Sequence, residues 1–288
     1  NMRSLASTDM NRTQIQVALA EISQARQLGT KGTLAASGPI LDRRARLDQF
    51  TRFYCDPGDN GGLLAPICGS TPNARPTRFN KDISIPRTLL GPLTLNINFA
   101  DGTTTADEED ILALARNLYG PDVLTRDSEL TYRGENAANK LNYLSQRQLI
   151  AFRNVAQNSF NVAVASRAGA GKASNTYMEN ILRELGFSAP EAKTYLSNNT
   201  NSPSYNAQME ILTKRIYQNP NFYTNLMDKP ANVDRQIAAI EAIGLMQDRD
   251  TYQSLERQEL LMSLLLEMKT RAAQRLVERD LKAPGAKR

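Results

Sequence analysis

Between Ser166 and Ser174 the chain reads SRAGAGKAS, which sets Gly169, Gly171 and Lys172 close to the order of a phosphate-cradling loop. Such a loop follows G-x-x-x-x-G-K-[ST] between a buried strand and a helix, so that backbone N–H groups surround the phosphates and the last hydroxyl holds Mg²⁺. Here Ser166 takes the first glycine position and Ala173 the hydroxyl position, and the preceding AFRNVAQNSFNVAVA reads as the end of a helix. The glycines are expected to form a turn between helices, with no nucleotide and no other cofactor bound.

Carboxylates offer the next chemistry. Asp56, Asp59 and Asn60 suggest calcium, but the third position of an EF-hand loop is Gly58 and the twelfth is Ile67, so the template fails. Asp107, Glu108, Glu109 and Asp110 could be a metal patch, yet four acids in a first helical turn are accounted for by the positive end of the helix dipole. A carboxylate-based cell-wall hydrolase would need two acids facing a cleft. Glu129 and Glu135, or the 107–110 cluster, are the candidates, and no spacing selects a pair. The chain has no histidine and two cysteines, which excludes His-based triads, His-bearing metal sites and four-thiolate sites. No catalytic, metal or cofactor-binding residue is assigned, and the expectation is a protein that is not an enzyme.

The cysteines carry the clearest chemistry. In YCDPGDNGGLLAPICGS, Cys55 and Cys68 flank a stretch of turn-forming Gly, Pro, Asp and Asn, so the chain can double back and join them as a disulfide. A bridge persists where thiols are oxidised, which points to a periplasmic or secreted protein. The chain opens Asn1-Met2 without a charged-then-apolar leader, which fits either a processed exported protein or a trimmed one.

The elements around these residues are mainly helical. The spacing of Ile15, Leu19 and Ile22 predicts a first helix over 8–28, stopped by Gly29. From 29 to 81 the helical period disappears, apart from one short helix in the arginine-rich DRRARLDQFTRFY. In PLTLNINFADG, Leu93, Leu95, Ile97 and Phe99 alternate with polar residues, which predicts a strand; with Ile83 and Ile85 it would make a small β hairpin or sheet over 82–99. Thr105 and Glu108 stand in capping-box positions ahead of a helix ending at Gly120. A long helix over 135–166 with Leu141, Leu144, Phe152 and Val155 follows, then shorter helices near 174–186, 188–197 and 204–218. From 232 to about 282 an amphipathic region, one helix or two, carries Leu261, Leu264, Leu265 and Met268 at i, i+3, i+4 and i+7. Such a stripe serves as core or as a coiled-coil-like docking surface; as the latter, these four residues are the candidate partner interface. The fold class expected is mainly α: a helical domain over 106–288 and an N-terminal region over 1–105 with a helix, the disulfide-stapled irregular segment and the small β element.

Charge and hydropathy narrow the partners. Residues 1–268 hold 28 basic and 28 acidic side chains, so the formal charge of +5 resides in 269–288, where seven basic residues face Glu278 and Asp280. A basic helix end can bind nucleic acid, and it also complements the helix dipole. The balanced body, few aromatics and no Trp argue against a nucleic-acid-binding module. The longest nearly apolar stretch, Leu260–Met268, is about half of the roughly 20 residues a membrane-spanning helix needs.

The segments YCDPGDNGG, NINFADGTTTADEEDILALARNLYG, ILTKRIYQNPNFYTNLMDKP and IGLMQDRDTYQSLERQELLMSLLLEMK resemble the periplasmic, IcmX/TraW-like components of type IVB (Dot/Icm-related) secretion and conjugation systems. The resemblance spans roughly residues 50–270. It implies a non-enzymatic structural subunit of an envelope translocation machine that binds other secretion-system subunits and self-associates, and it brings no catalytic residues.

Overall fold

The computed structural model describes residues 2–30, 38–68, 76–99, 102–124, 137–169, 175–184, 187–197, 203–227 and 229–282. It is mostly helical and divides into two compact units, residues 1–233 and 234–288.

In the first unit, α1 (Met2–Leu28) pairs with α4 (Ala137–Ala165), and α3 (Ala106–Tyr119) lies beside them. Helix α1 ends as Gly29 predicts: its φ is 62° and Thr30 N–H donates to Ala25 O at 3.0 Å, closing the last turn. The α1–α4 contact is antiparallel and half polar. Gln16 donates to Asn158 at 2.8 Å, Ser23 to Gln157 at 2.7 Å and Arg153 to Gln27 at 2.6 Å. Beside these pairs Ile15, Leu19, Phe160 and Val164 share one core with Leu89, Leu95, Ile97, Ile111 and Leu114. Residues from both sides of position 105 therefore pack together. On α4 the buried face runs through Ile150, Gln157, Phe160, Asn161 and Val164; of the four apolar residues expected to mark it, Leu144 is exposed, Phe152 and Val155 are half-buried, and the side chain of Leu141 lies outside the described residues.

The β hairpin expected over 82–99 is not formed. Pro86–Leu90 makes a π-helical turn, Ile83 is exposed, and the described residues contain isolated bridges only, Leu95 with Ala168 and Gly169 with Ser204. The alternation holds over 95–98, where Leu95 and Ile97 are buried and Asn96 and Asn98 exposed, and it breaks at Thr94, which is buried with its hydroxyl accepting from Ser204 N–H at 3.1 Å. What replaces a partner strand is the start of α3. Asn96 N–H donates to Asp107 Oδ2 at 2.8 Å, Asn98 N–H to Glu108 Oε1 at 2.6 Å, and Thr105 Oγ1 to Asn96 O at 2.5 Å. Backbone groups need partners, and helical side chains supply them here.

Thr105 thus acts twice, because its hydroxyl also accepts from Glu108 N–H at 3.2 Å while Glu108 Oε2 accepts from Thr105 N–H at 2.9 Å, a complete capping box. Thr105→Ala is expected to lower stability by about 1–2 kcal/mol, the upper part of the range for caps, read from the urea midpoint; Thr105→Ser should retain most of it.

Further on, α5 (Asn175–Glu184) and α6 (Ala189–Ser197) pack on one another, and Met178, Leu182 and Ala192 are buried. Ser204 caps α7 (Tyr205–Glu210), which continues into a π-helical turn over Ile211–Arg215, and α8 (Pro220–Asn225) follows. The last element is one uninterrupted helix, α9 (Pro230–Lys282), which settles the amphipathic region as one helix and not two. From 234 onward it makes up the second unit.

Candidate interaction surface

Cys55 and Cys68 are joined, with Cα atoms 5.4 Å apart. The enclosed loop is built by its turn residues: Asp56 Oδ1 accepts from Gly58 N–H at 2.9 Å, and Asn60, Gly61 and Gly62 adopt left-handed φ of 52°, 68° and 85°. Asp59 accepts from Asn80 Nδ2 at 2.7 Å, so both loop aspartates hold the fold itself.

Each acid of the 107–110 cluster has a partner. Asp107 and Glu108 receive the 96–98 backbone, and Glu109 and Asp110 form ion pairs with Arg78 at 2.9 and 2.5 Å. Asp110, 1% exposed, also meets Lys81 at 3.0 Å. Arg78 stacks over Phe53, 4.4 Å from the ring centroid, and donates to Tyr54 Oη at 3.3 Å. Burial and the Asp110 charge push the Tyr54 phenol well above its usual range. A second enclosed pair, Arg26 with Asp42 at 2.5 Å, adds a bond from Arg26 to Gly120 O at 2.7 Å and so joins α1, α2 (Pro39–Gln49) and the end of α3.

The glycine-rich run is a structural joint where it is described. Ser166 O accepts from Asn206 N–H at 2.8 Å, Arg167 O from Leu95 N–H at 2.6 Å, and Gly169 O from Asn11 Nδ2 at 2.8 Å; Gly169 N–H donates to Leu95 O at 3.1 Å. This N–H is spent on the fold and does not face a ligand. Residues 170–174 lie outside the described residues, as do Glu129 and Glu135, the acids weighed for hydrolysis.

Leu261, Leu264, Leu265 and Met268 all lie on α9. No described residue of this helix from 234 onward is buried. Leu265 and Met268 are 59% and 49% exposed, Leu261 and Leu264 half-buried, and Leu260, Met262 and Leu266 exposed as well. At about 100° per residue, the apolar positions of 260–268 sweep an arc of about 240°, leaving Ser263 and Glu267 as the polar sector. The four-residue stripe read from the sequence is part of this wider surface. Its breadth was visible in the run LLMSLLLEM.

Among the described residues no helix is long and apolar enough to cross a membrane, and no cluster of acids and thiols is arranged to hold a metal. Comparison with protein families, with curated proteins and with solved structures finds no match to the chain.

Proposed function

We propose that the protein is a non-enzymatic interaction subunit that self-associates through α9, with the 260–268 stretch at the centre of the contact. The observation that carries this reading is the arc of exposed Leu and Met side chains on a 53-residue helix. Burying one such side chain contributes about 1.5–3 kcal/mol, and a helix apolar on most of its circumference is normally enclosed. An arc of about 240° is wider than the stripe of about 100° by which a helix faces one neighbour, so a second copy seated on it leaves room for a further helix.

Charge favours a second copy in antiparallel alignment. Asp250, Glu256 and Glu259, interspersed with Arg249 and Arg257, precede the apolar stretch, and Lys269, Arg271 and Arg275 follow it. Antiparallel pairing about residue 264 lays 253–259 of one copy, where Glu256 and Glu259 outnumber Arg257, along the basic 269–275 of the other and sets Glu259 beside Lys269. The joined cysteines suit an oxidising compartment. Assembly in the periplasm, with other subunits of a type IV secretion or conjugation machine, is the setting this reading adopts.

The test is sedimentation velocity on the full chain and on the double variant Leu264→Asp/Leu265→Asp. Self-association is expected to weaken at least about 100-fold, since two buried carboxylates oppose the apolar contact, with helix content unchanged by circular dichroism. Equal association by both proteins would reject α9 as the contact.

A further inference from the structure

A cavity of about 330 Å³ opens within the first unit, between α2 with its π-helical extension (Phe50–Tyr54) and the outer face of α3. Arg43, Arg46, Leu47, Phe50 and Tyr54 reach it from one side at intervals of three and four residues; Ala113, Arg116 and Asn117 meet them at the same spacing from the other. Its size lies in the range of small-molecule sites, about 300–1,000 Å³, and π-helical turns recur at functional sites.

The charges of this cavity are unbalanced. Arg26 and Arg78 each grip a carboxylate. Arg116, half-buried, forms no ion pair among the described residues, and its guanidinium reaches only Gln49 Oε1, at a long 3.4 Å. Arg46 donates to neutral acceptors, Pro121 O and, at 2.5 Å, Asn117 Oδ1. Arg43 at the rim is paired with Asp122 at 2.7 Å. The one carboxylate lining the cavity, Asp82, accepts from Asn117 Nδ2 at 3.2 Å and faces three arginines. A half-buried cation without an ion-pair partner carries part of the desolvation cost of a buried one, and an entering anion relieves it.

We infer that this cavity binds the carboxylate of an organic acid with an apolar body. Two guanidinium forks suit the planar, two-oxygen carboxylate, and Leu47, Phe50 and Ala113 supply hydrocarbon walls for the remainder of the molecule. The cavity involves residues 43–117 alone, so the inference stands apart from the role of α9.

Calorimetric titration of the full chain with benzoate, N-acetylphenylalanine, the neutral N-acetylphenylalaninamide and inorganic phosphate tests it. Both carboxylates are expected to bind at least tenfold more tightly than the amide and than phosphate. Benzoate as the tighter of the two assigns a free small acid, and N-acetylphenylalanine as the tighter assigns a peptide C-terminus. Arg116→Gln should weaken carboxylate binding at least tenfold, whereas Arg183→Gln, on the exposed face of α5, should leave it unchanged. Leu47→Trp, at an exposed wall position, narrows the cavity with its charges intact and should also weaken binding, which covers a folding failure of Arg116→Gln. Equal affinity for acid and amide, tighter binding of phosphate, or undiminished binding in Leu47→Trp would overturn the assignment.

Discussion

Asp110→Ala is expected to destabilise the first unit by about 3–5 kcal/mol, the cost of breaking a buried ion pair from one side. Asp110 is buried just past the first turn of α3 and joins Arg78 and Lys81 to that helix, and through Arg78 it fixes the rings of Phe53 and Tyr54. Without the carboxylate, Arg78 retains only the half-exposed Glu109 as an ion-pair partner, at 2.9 Å. Urea denaturation followed by tyrosine fluorescence gives the measurement. Arg78→Met added to Asp110→Leu should recover most of the loss, because an apolar pair of similar volume removes both charges together. A loss below about 1 kcal/mol for Asp110→Ala, well short of the buried-pair range, would mean that the network does not hold this region.

Removing the bridge with Cys55→Ser/Cys68→Ser should cost about 3 kcal/mol, as the chain-entropy account gives for a loop of this length. Cys55 directly follows the π-helical turn that lines the arginine cavity, and Tyr54 O accepts from Asn80 N–H at 2.9 Å, so the bridge anchors one wall of that cavity. Dithiothreitol should lower the urea midpoint of the native chain to that of the double variant and leave the variant unmoved. A midpoint insensitive to both treatments would show that the Asp59–Asn80 bond and the surrounding turns hold the loop without the sulfur atoms.

Local signals in the sequence carried far. Gly29 ends α1, Thr105 and Glu108 cap α3, and Cys55 meets Cys68, because each of these depends on a few neighbouring residues and on backbone rules that act at short range. The extended 93–99 segment shows where this reach ends. Its alternation reported the buried side chains of Leu95 and Ile97 and missed buried Thr94, and the Asn96 and Asn98 N–H groups found their partners in Asp107 and Glu108, where no periodicity distinguishes a strand from side chains as the hydrogen-bonding partner. Polar residues inside the helical contacts were illegible for a related reason. Gln157 and Gln208 are buried beside partners far along the chain, Ser23 at 2.7 Å and Thr8 at 3.1 Å, and Asn161 accepts from Gln157 at 3.3 Å, whereas an apolar-period reading counts such residues as surface. The arginine cavity left a trace in the 3–4 spacing of Arg43, Arg46, Leu47 and Phe50. Its other half, Arg116, became its neighbour only when α3 folded against α2.

Light scattering on the purified full chain, read across a concentration series, tests the role of α9 most directly. The expected molar mass at high concentration is a multiple of the 31.9 kDa of one chain, falling toward that value on dilution. A mass that stays at 31.9 kDa at every concentration would contradict self-association through the exposed apolar arc.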